Sequence, residues 1–218
     1  MSDLSELRMR EEVVRFCRLL HERNYLAAND GNVSVRLDAE RLLVTPTGVY
    51  KAFIEPEDLV VVDLEGRQLS GKQAPTGELP MHLCALRNRP EIQAAVHSHP
   101  PTAIAMSLHP GLLGRDVLGE VILSIGRFEL VPYARPQTED MARALEPVVK
   151  RSDAMILERH GTLTLGRTLL DAYALTERLE HAALILWRAH AIGTPTALPE
   201  DEARALRDIH ARTRSQSR

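Results

Sequence analysis

Residues 94–101 read Ala-Ala-Val-His-Ser-His-Pro-Pro. The apolar start predicts a strand over 94–99, and Pro100-Pro101, which cannot donate to a ladder, ends it. Period two places His97 and His99 on one face of that strand, about 6.5–7 Å apart along it. That offset lets two imidazoles converge on one cation at about 2.0–2.1 Å each. Taken alone, the pair equally suits two histidines on a polar face.

Outward from this strand, the turn Ala74-Pro75-Thr76-Gly77 leads into a helix over 78–88. Further upstream, 33–37 and 42–44 read as a strand pair around a polar turn, 59–63 as a buried strand, and 68–69 as a short one. An opening helix over 4–28 repeats apolar residues at three- and four-residue steps. Downstream, a short helix is expected over 102–108, and 120–125 and 130–131 read as strands. Thr138 caps a helix that runs to 149. Strands 155–157 and 162–165 flank Arg159-His160-Gly161, and 169–192 is the longest helix, stopped by Gly193 and Pro195. A polar helix over 200–211 precedes a frayed tail, 212–218. Strands and helices mix without strict βαβ alternation. The expected fold is therefore α/β, a three-layer α/β/α domain over 1–218 around a central, mainly antiparallel sheet.

The composition fits that reading. The chain has 218 residues, 44% hydrophobic and 26% charged, which is enough for a packed core and argues against disorder. A net charge of −3 leaves no basic footprint for nucleic acid. The N-terminal segment lacks the apolar run of a signal peptide, and no stretch nears the roughly 20 residues of a membrane span, so a cytoplasmic protein is expected. Cys17 and Cys84 suggest no disulfide framework and read as core residues. Trp187 and the stripe Leu179, Ala183 and Leu186 suit core or an oligomer surface, with core favoured.

Nine histidines are the unusual count. His160 sits where the chain must turn tightly, with Gly161 relieving the sterics. By itself it suits a loop histidine; with His97 and His99 it completes the three-histidine set that a catalytic zinc uses, with one position open. Glu78 opens a helix, where a carboxylate also has a plain structural use. His82, one turn later, reads as helix packing or support behind a ligand.

These residues, in this order, resemble the zinc-dependent class II aldolase/adducin-head family. The resemblance rests on Gly31-Asn32-Val33-Ser34, Thr45-Pro46-Thr47-Gly48, Pro75 to His82, His97-Ser98-His99-Pro100, His160-Gly161 and Leu179-Glu180-His181. It implies that His97, His99 and His160 bind one Zn2+. Glu78 would be the catalytic acid/base, and a fourth ligand when substrate is absent. It implies a homotetramer with sites near subunit interfaces. It also implies that Gly31, Asn32, Thr47, Gly48, Thr76 and Gly77 hold a sugar phosphate. Exposed N–H groups and hydroxyls beside glycines make anion-binding concavities, which gives that last role independent sense.

The implied activity is that of a lyase related to L-fuculose-phosphate aldolase. It would cleave a ketose 1-phosphate reversibly to dihydroxyacetone phosphate and an aldehyde through a metal-bound enediolate. Alternatives are a zinc sugar-phosphate 4-epimerase, dehydratase or decarboxylase, and a non-catalytic adducin-like interaction domain. Family members that cleave sugar phosphates carry two serines before the glutamate; here Thr76 and Gly77 stand there. That removes one hydroxyl donor and opens the site to another anion such as a carboxylate. The family's two proton-donating tyrosines are unmatched, with Tyr133 the nearest in sequence to the first.

Overall fold

The structure, a computed structural model, describes residues 3–113 and 116–216. Its strands are β1 (Asn32–Arg36), β2 (Arg41–Val44), β3 (Val60–Asp63), β4 (Gln68–Ser70), β5 (Ala94–Ser98), β6 (Glu129–Val131), β7 (Ala154–Leu157) and β8 (Gly161–Gly166). They form one sheet in the order β4-β3-β2-β1-β5-β8-β7-β6. Every pairing is antiparallel except the parallel β6–β7 edge. The helices are α1 (Asp3–Glu22), α2 (Leu79–Asn88), α3 (Pro101–Ser107), α4 (Gly119–Ser124), α5 (Glu139–Val149), α6 (Leu169–Ile192) and α7 (Glu200–Gln216).

Alternation along each strand divides the core between two faces. Leu42, Val44, Val60, Val62, Ala95, Met155, Leu157, Leu163 and Leu165 cluster with residues of α2 and α5. From the other face Leu43, Val61, Ala94 and Val96 pack on α1 and the start of α6. Ala154 and Ile156 meet α3 and the middle of α6. Each large apolar side chain so buried contributes about 1.5–3 kcal/mol. The result is the expected three-layer α/β/α arrangement with a mainly antiparallel sheet. Among the described residues, no helix is long and apolar enough to cross a membrane.

Some boundaries differ from the sequence reading. Residues 120–125, expected as a strand, lie largely in helix α4, which packs against α7. Their run Val-Ile-Leu has strand composition, but a short apolar run does not distinguish a strand from a buried helix turn. The tertiary partner decides here, and the Nδ1–H of His210 on α7 donates to Leu123 O at 2.9 Å. The opening helix stops at Glu22 rather than 28, with Asn24 at φ +60°. Helix α7 continues to Gln216 through part of the tail expected to fray, and residues 217–218 lie outside the described residues. On α6, Leu179, Ala183 and Leu186 are core, whereas Trp187 is 53% exposed. Cys17 is buried and Cys84 half-buried, and neither is in a disulfide.

Candidate active site

His97 lies on β5, the strand joining the two halves of the sheet, opposite Asn32 of β1 and Leu163 of β8. Its Nδ1–H donates to Thr162 O at 2.8 Å, which leaves Nε2 to face the site. His99 follows just past the end of β5, held by its backbone N–H donating to Tyr25 O at 2.7 Å. Its Nε2 comes within 3.0 Å of His97 Nε2, while its Nδ1 faces Asp30 Oδ2 at 3.4 Å. His160 sits in the tight β7–β8 turn, where Arg159 takes φ +60° and the His160 N–H donates to Leu157 O. The three ring centroids stand 4.7–5.2 Å apart.

Glu78 caps the start of α2 and reaches the same point. Its Oε2 is 3.0 Å from His97 Nε2, and its Oε1 is 3.1 Å from His160 Nε2. Glu78 Oε1 and His160 Nδ1 are nevertheless buried atoms without a hydrogen-bond partner. Burial by itself would raise the Glu78 carboxyl, but the field of His97 and the polar contacts of His160, His97 and Asn32 hold it well below the usual carboxylate range. His99 is pushed down to about 4, by burial first and then by His97 and His160.

One ligand nitrogen from each histidine lies within 4.8 Å of the others, so the triad could hold a metal ion. The donor set fits one. With Nδ1 of His97 engaged outward, positive charge for Glu78 must arrive at the inward nitrogens. A proton on one ring serves one nitrogen, whereas a single cation serves all three and satisfies the orphaned carboxylate oxygen.

A buried relay stands behind Glu78. Asn32 Nδ2 donates to Glu78 Oε2 at 2.9 Å, which turns its Oδ1 toward His82 Nε2 at 2.5 Å. Because Oδ1 only accepts, His82 carries its proton on Nε2, and its Nδ1 accepts from Ser34 Oγ at 2.6 Å. The carboxylate thus sets every proton in the chain. Both ring nitrogens of His82 are thus engaged, one by Asn32 and one by Ser34, so the ring supports Asn32 from one turn along α2.

Burial, then His97, pushes His82 down to about 3, so it stays neutral in the folded protein. The unfolded chain takes up that proton near the ordinary value of about 6.5, so stability should fall as pH drops from about 6.5 toward 3. The slope from this one group reaches about 1.4 kcal/mol per pH unit. Urea titrations at stepped pH should show the slope, and His82→Leu should flatten it by about one proton.

Gly31, Asn32, Thr47, Gly48, Thr76 and Gly77 all line one cleft of about 130 Å³, together with Glu78, His99 and His160; His97 lies buried behind it. Two loops are tied together to form its wall. Thr47 N–H donates to Ala74 O at 3.0 Å, Thr76 N–H donates to Thr45 O at 3.1 Å, and Pro46 and Pro75 form an isolated bridge. Thr76 Oγ1 accepts from the Glu78 N–H at 3.2 Å, which leaves its hydroxyl proton for the cleft.

The cleft also includes residues the sequence did not point to: Asn29, Asp30, Lys51, Pro136 and Gln137. Lys51 is fully buried and donates to Asn29 O at 3.1 Å and Val49 O at 2.9 Å, with burial lowering its pKa. Its only signal in the sequence is a lysine in a segment otherwise poor in charge. Tyr133 is 57% exposed and is not among the lining residues.

Residues 11–187 match the model of the family described as the Class II Aldolase and Adducin N-terminal domain. The chain is 36% identical over 173 residues to an L-fuculose phosphate aldolase of Methanococcus vannielii, covering 79% of this chain and 92% of that protein. It is 34% identical over 188 residues to a 3-oxo-tetronate 4-phosphate decarboxylase of Haemophilus influenzae, covering 84% and 89%. Among solved structures, YgbL from Escherichia coli superposes with a TM-score of 0.84 at 31% identity, covering 93% of this chain and 99% of that one. That protein carries the three-way description aldolase/epimerase/decarboxylase.

Proposed function

Because the chain belongs to the family of the Class II Aldolase and Adducin N-terminal domain, we propose that it is a zinc-dependent lyase acting on a phosphorylated sugar. In the first reading it cleaves a ketose 1-phosphate of the L-fuculose 1-phosphate kind, reversibly, to dihydroxyacetone phosphate and an aldehyde. The observation that carries this is the convergence of three imidazoles, two of them touching Glu78, at one end of a cleft walled by hydroxyl and backbone donors.

His97, His99 and His160 would hold the zinc, with Glu78 beside them. Zinc on three neutral histidines would keep its full charge and would supply Lewis-acid stabilisation of developing negative charge. The chain's own residues do the rest. Glu78 takes the proton alpha to the carbonyl of dihydroxyacetone phosphate in synthesis and returns it to the same carbon in cleavage. Asn32, braced by His82 and Ser34, aims the carboxylate. Gly31, Asn32, Thr47, Gly48, Thr76 and Gly77 bind the phosphate. The working form is a homotetramer with sites near its interfaces, which light scattering tests.

A second reading, decarboxylation of a phosphorylated oxo acid, is favoured by the similarity to the 3-oxo-tetronate 4-phosphate decarboxylase and by Gly77 in place of a hydroxyl residue. A product panel separates the two: dihydroxyacetone phosphate release marks the aldolase, and carbon dioxide the decarboxylase. Dialysis against a chelator should remove about one zinc per chain and at least 99% of either activity, with Zn2+ restoring both. Full activity in zinc-free protein would refute both readings.

A further inference from the structure

Where the wall of the cleft lacks a side chain, at Gly77, another part of the chain covers the gap. Gln137 lies in the turn between β6 and α5, one residue before the Thr138 cap, with its backbone at φ +61°. A residue with a Cβ seldom takes that left-handed conformation, and here it lays the side chain across Gly77. A Cβ placed on residue 77 would stand 2.9 Å from Gln137 Oε1, 3.1 Å from Cδ and 3.4 Å from Cγ. Gln137 is exposed, lines the cleft, and its carboxamide has no hydrogen-bond partner among the described residues. The amide is free to turn, so either end can face a ligand.

We propose that Gln137 is a binding residue for the phosphate group of the substrate, its Nε2–H supplying the donor that position 77 lacks. Gly77 and Gln137 then act as a pair. The glycine makes room for the amide, and the amide sets the width and the donor count of the anion end. This inference rests on the cleft being the substrate's anion site, as proposed above. It also accounts for how a phosphate is held with one hydroxyl fewer beside Glu78. The flexible tip of Gln137, not backbone, is what a side chain at 77 would meet, so the two positions can be exchanged without breaking the fold.

The test uses the zinc-loaded full-length protein, with inorganic phosphate and dihydroxyacetone phosphate as probes in calorimetric titrations. Gln137→Ala should raise both dissociation constants about tenfold, the usual worth of a hydrogen bond to a charged group. Gln137→Glu keeps the volume but opposes the anion, so it should bind more weakly than Gln137→Ala. Gly77→Ser should also weaken binding, by displacing the amide. The double variant Gly77→Ser/Gln137→Ala should bind no more weakly than Gln137→Ala alone, because the serine hydroxyl then has room to act. Melting temperatures without phosphate should stay within about 2 °C of the parent for an exposed side chain.

If Gln137→Ala and Gln137→Glu bind both probes within twofold of a parent that binds them, the inference is overturned while the cleft reading stands. If weaker binding is matched by a lower melting temperature without phosphate, Gln137 serves the loop's structure instead, and the inference is overturned. If the parent binds neither probe, the cleft reading itself fails and takes the inference with it.

Discussion

Glu78→Gln, loaded with zinc, is expected to turn over its substrate about a thousandfold more slowly than the parent, within the 10²–10⁴ range of a positioned acid/base. The substitution is nearly isosteric. The amide oxygen of the new side chain can still accept from Asn32 Nδ2, now 2.9 Å from the carboxylate, so the relay through His82 and Ser34 keeps its geometry. What disappears is the basic site and the negative charge facing His97 and His160. Loss of turnover with zinc still bound, checked by steady-state kinetics and elemental analysis of one sample, assigns the proton transfer to Glu78. The sharper measurement is exchange of the alpha hydrogen of dihydroxyacetone phosphate in D2O without any aldehyde. Exchange at near the parental rate in Glu78→Gln would exclude Glu78 as the base.

The second large effect is expected at a residue with no functional group. In Gly161→Ala the new methyl would lie 2.5 Å from Ser98 O, 2.7 Å from His99 Cδ2 and 3.0 Å from His97 Cε1. The first contact is backbone in the β5–β8 ladder, where Ser98 pairs with Thr162, and cannot yield without opening that seam. The other two are the rings of two of the proposed ligands. Overpacking of this kind costs about 3 kcal/mol, which for a chain of this size lowers the melting temperature by about 6–12 °C. Displaced rings should also weaken zinc binding by about 10–100-fold, as disturbed ligand support does elsewhere. Calorimetry of the melt and competition with a chromogenic chelator would check both. A variant melting within 2 °C of the parent with undiminished zinc affinity would show that the β7–β8 turn has slack the structure does not suggest.

His97 and His99 were legible as a convergent pair because strand periodicity acts over two residues and needs no tertiary information. His160 and Glu78 became meaningful only as members of ordered motifs, since a glycine-flanked histidine and a helix-opening glutamate each have ordinary uses. The α4 segment was misread because its apolar composition suits a strand, and what makes it helical is contact with α7, about ninety residues later. Lys51 carried no reading in the sequence, since a lone lysine in a loop has no local partner to mark it. Its burial depends on two loop carbonyls that face each other only once both loops are placed. Gln137 gave no local signal at all, because its significance lies in an absence at Gly77, sixty positions away.

The placement of β5 between β1 and β8 also bears on how the protein folds. His97 is paired with Asn32 on one side and bonded to Thr162 on the other, each sixty-five residues away along the chain. Contacts this non-local close late, because the loop entropy is lost before the contact repays it. The triad therefore cannot exist in a chain that has formed only its hairpins and helices. An ion held there would act as a latch on both seams at once, slowing unfolding more than it speeds folding.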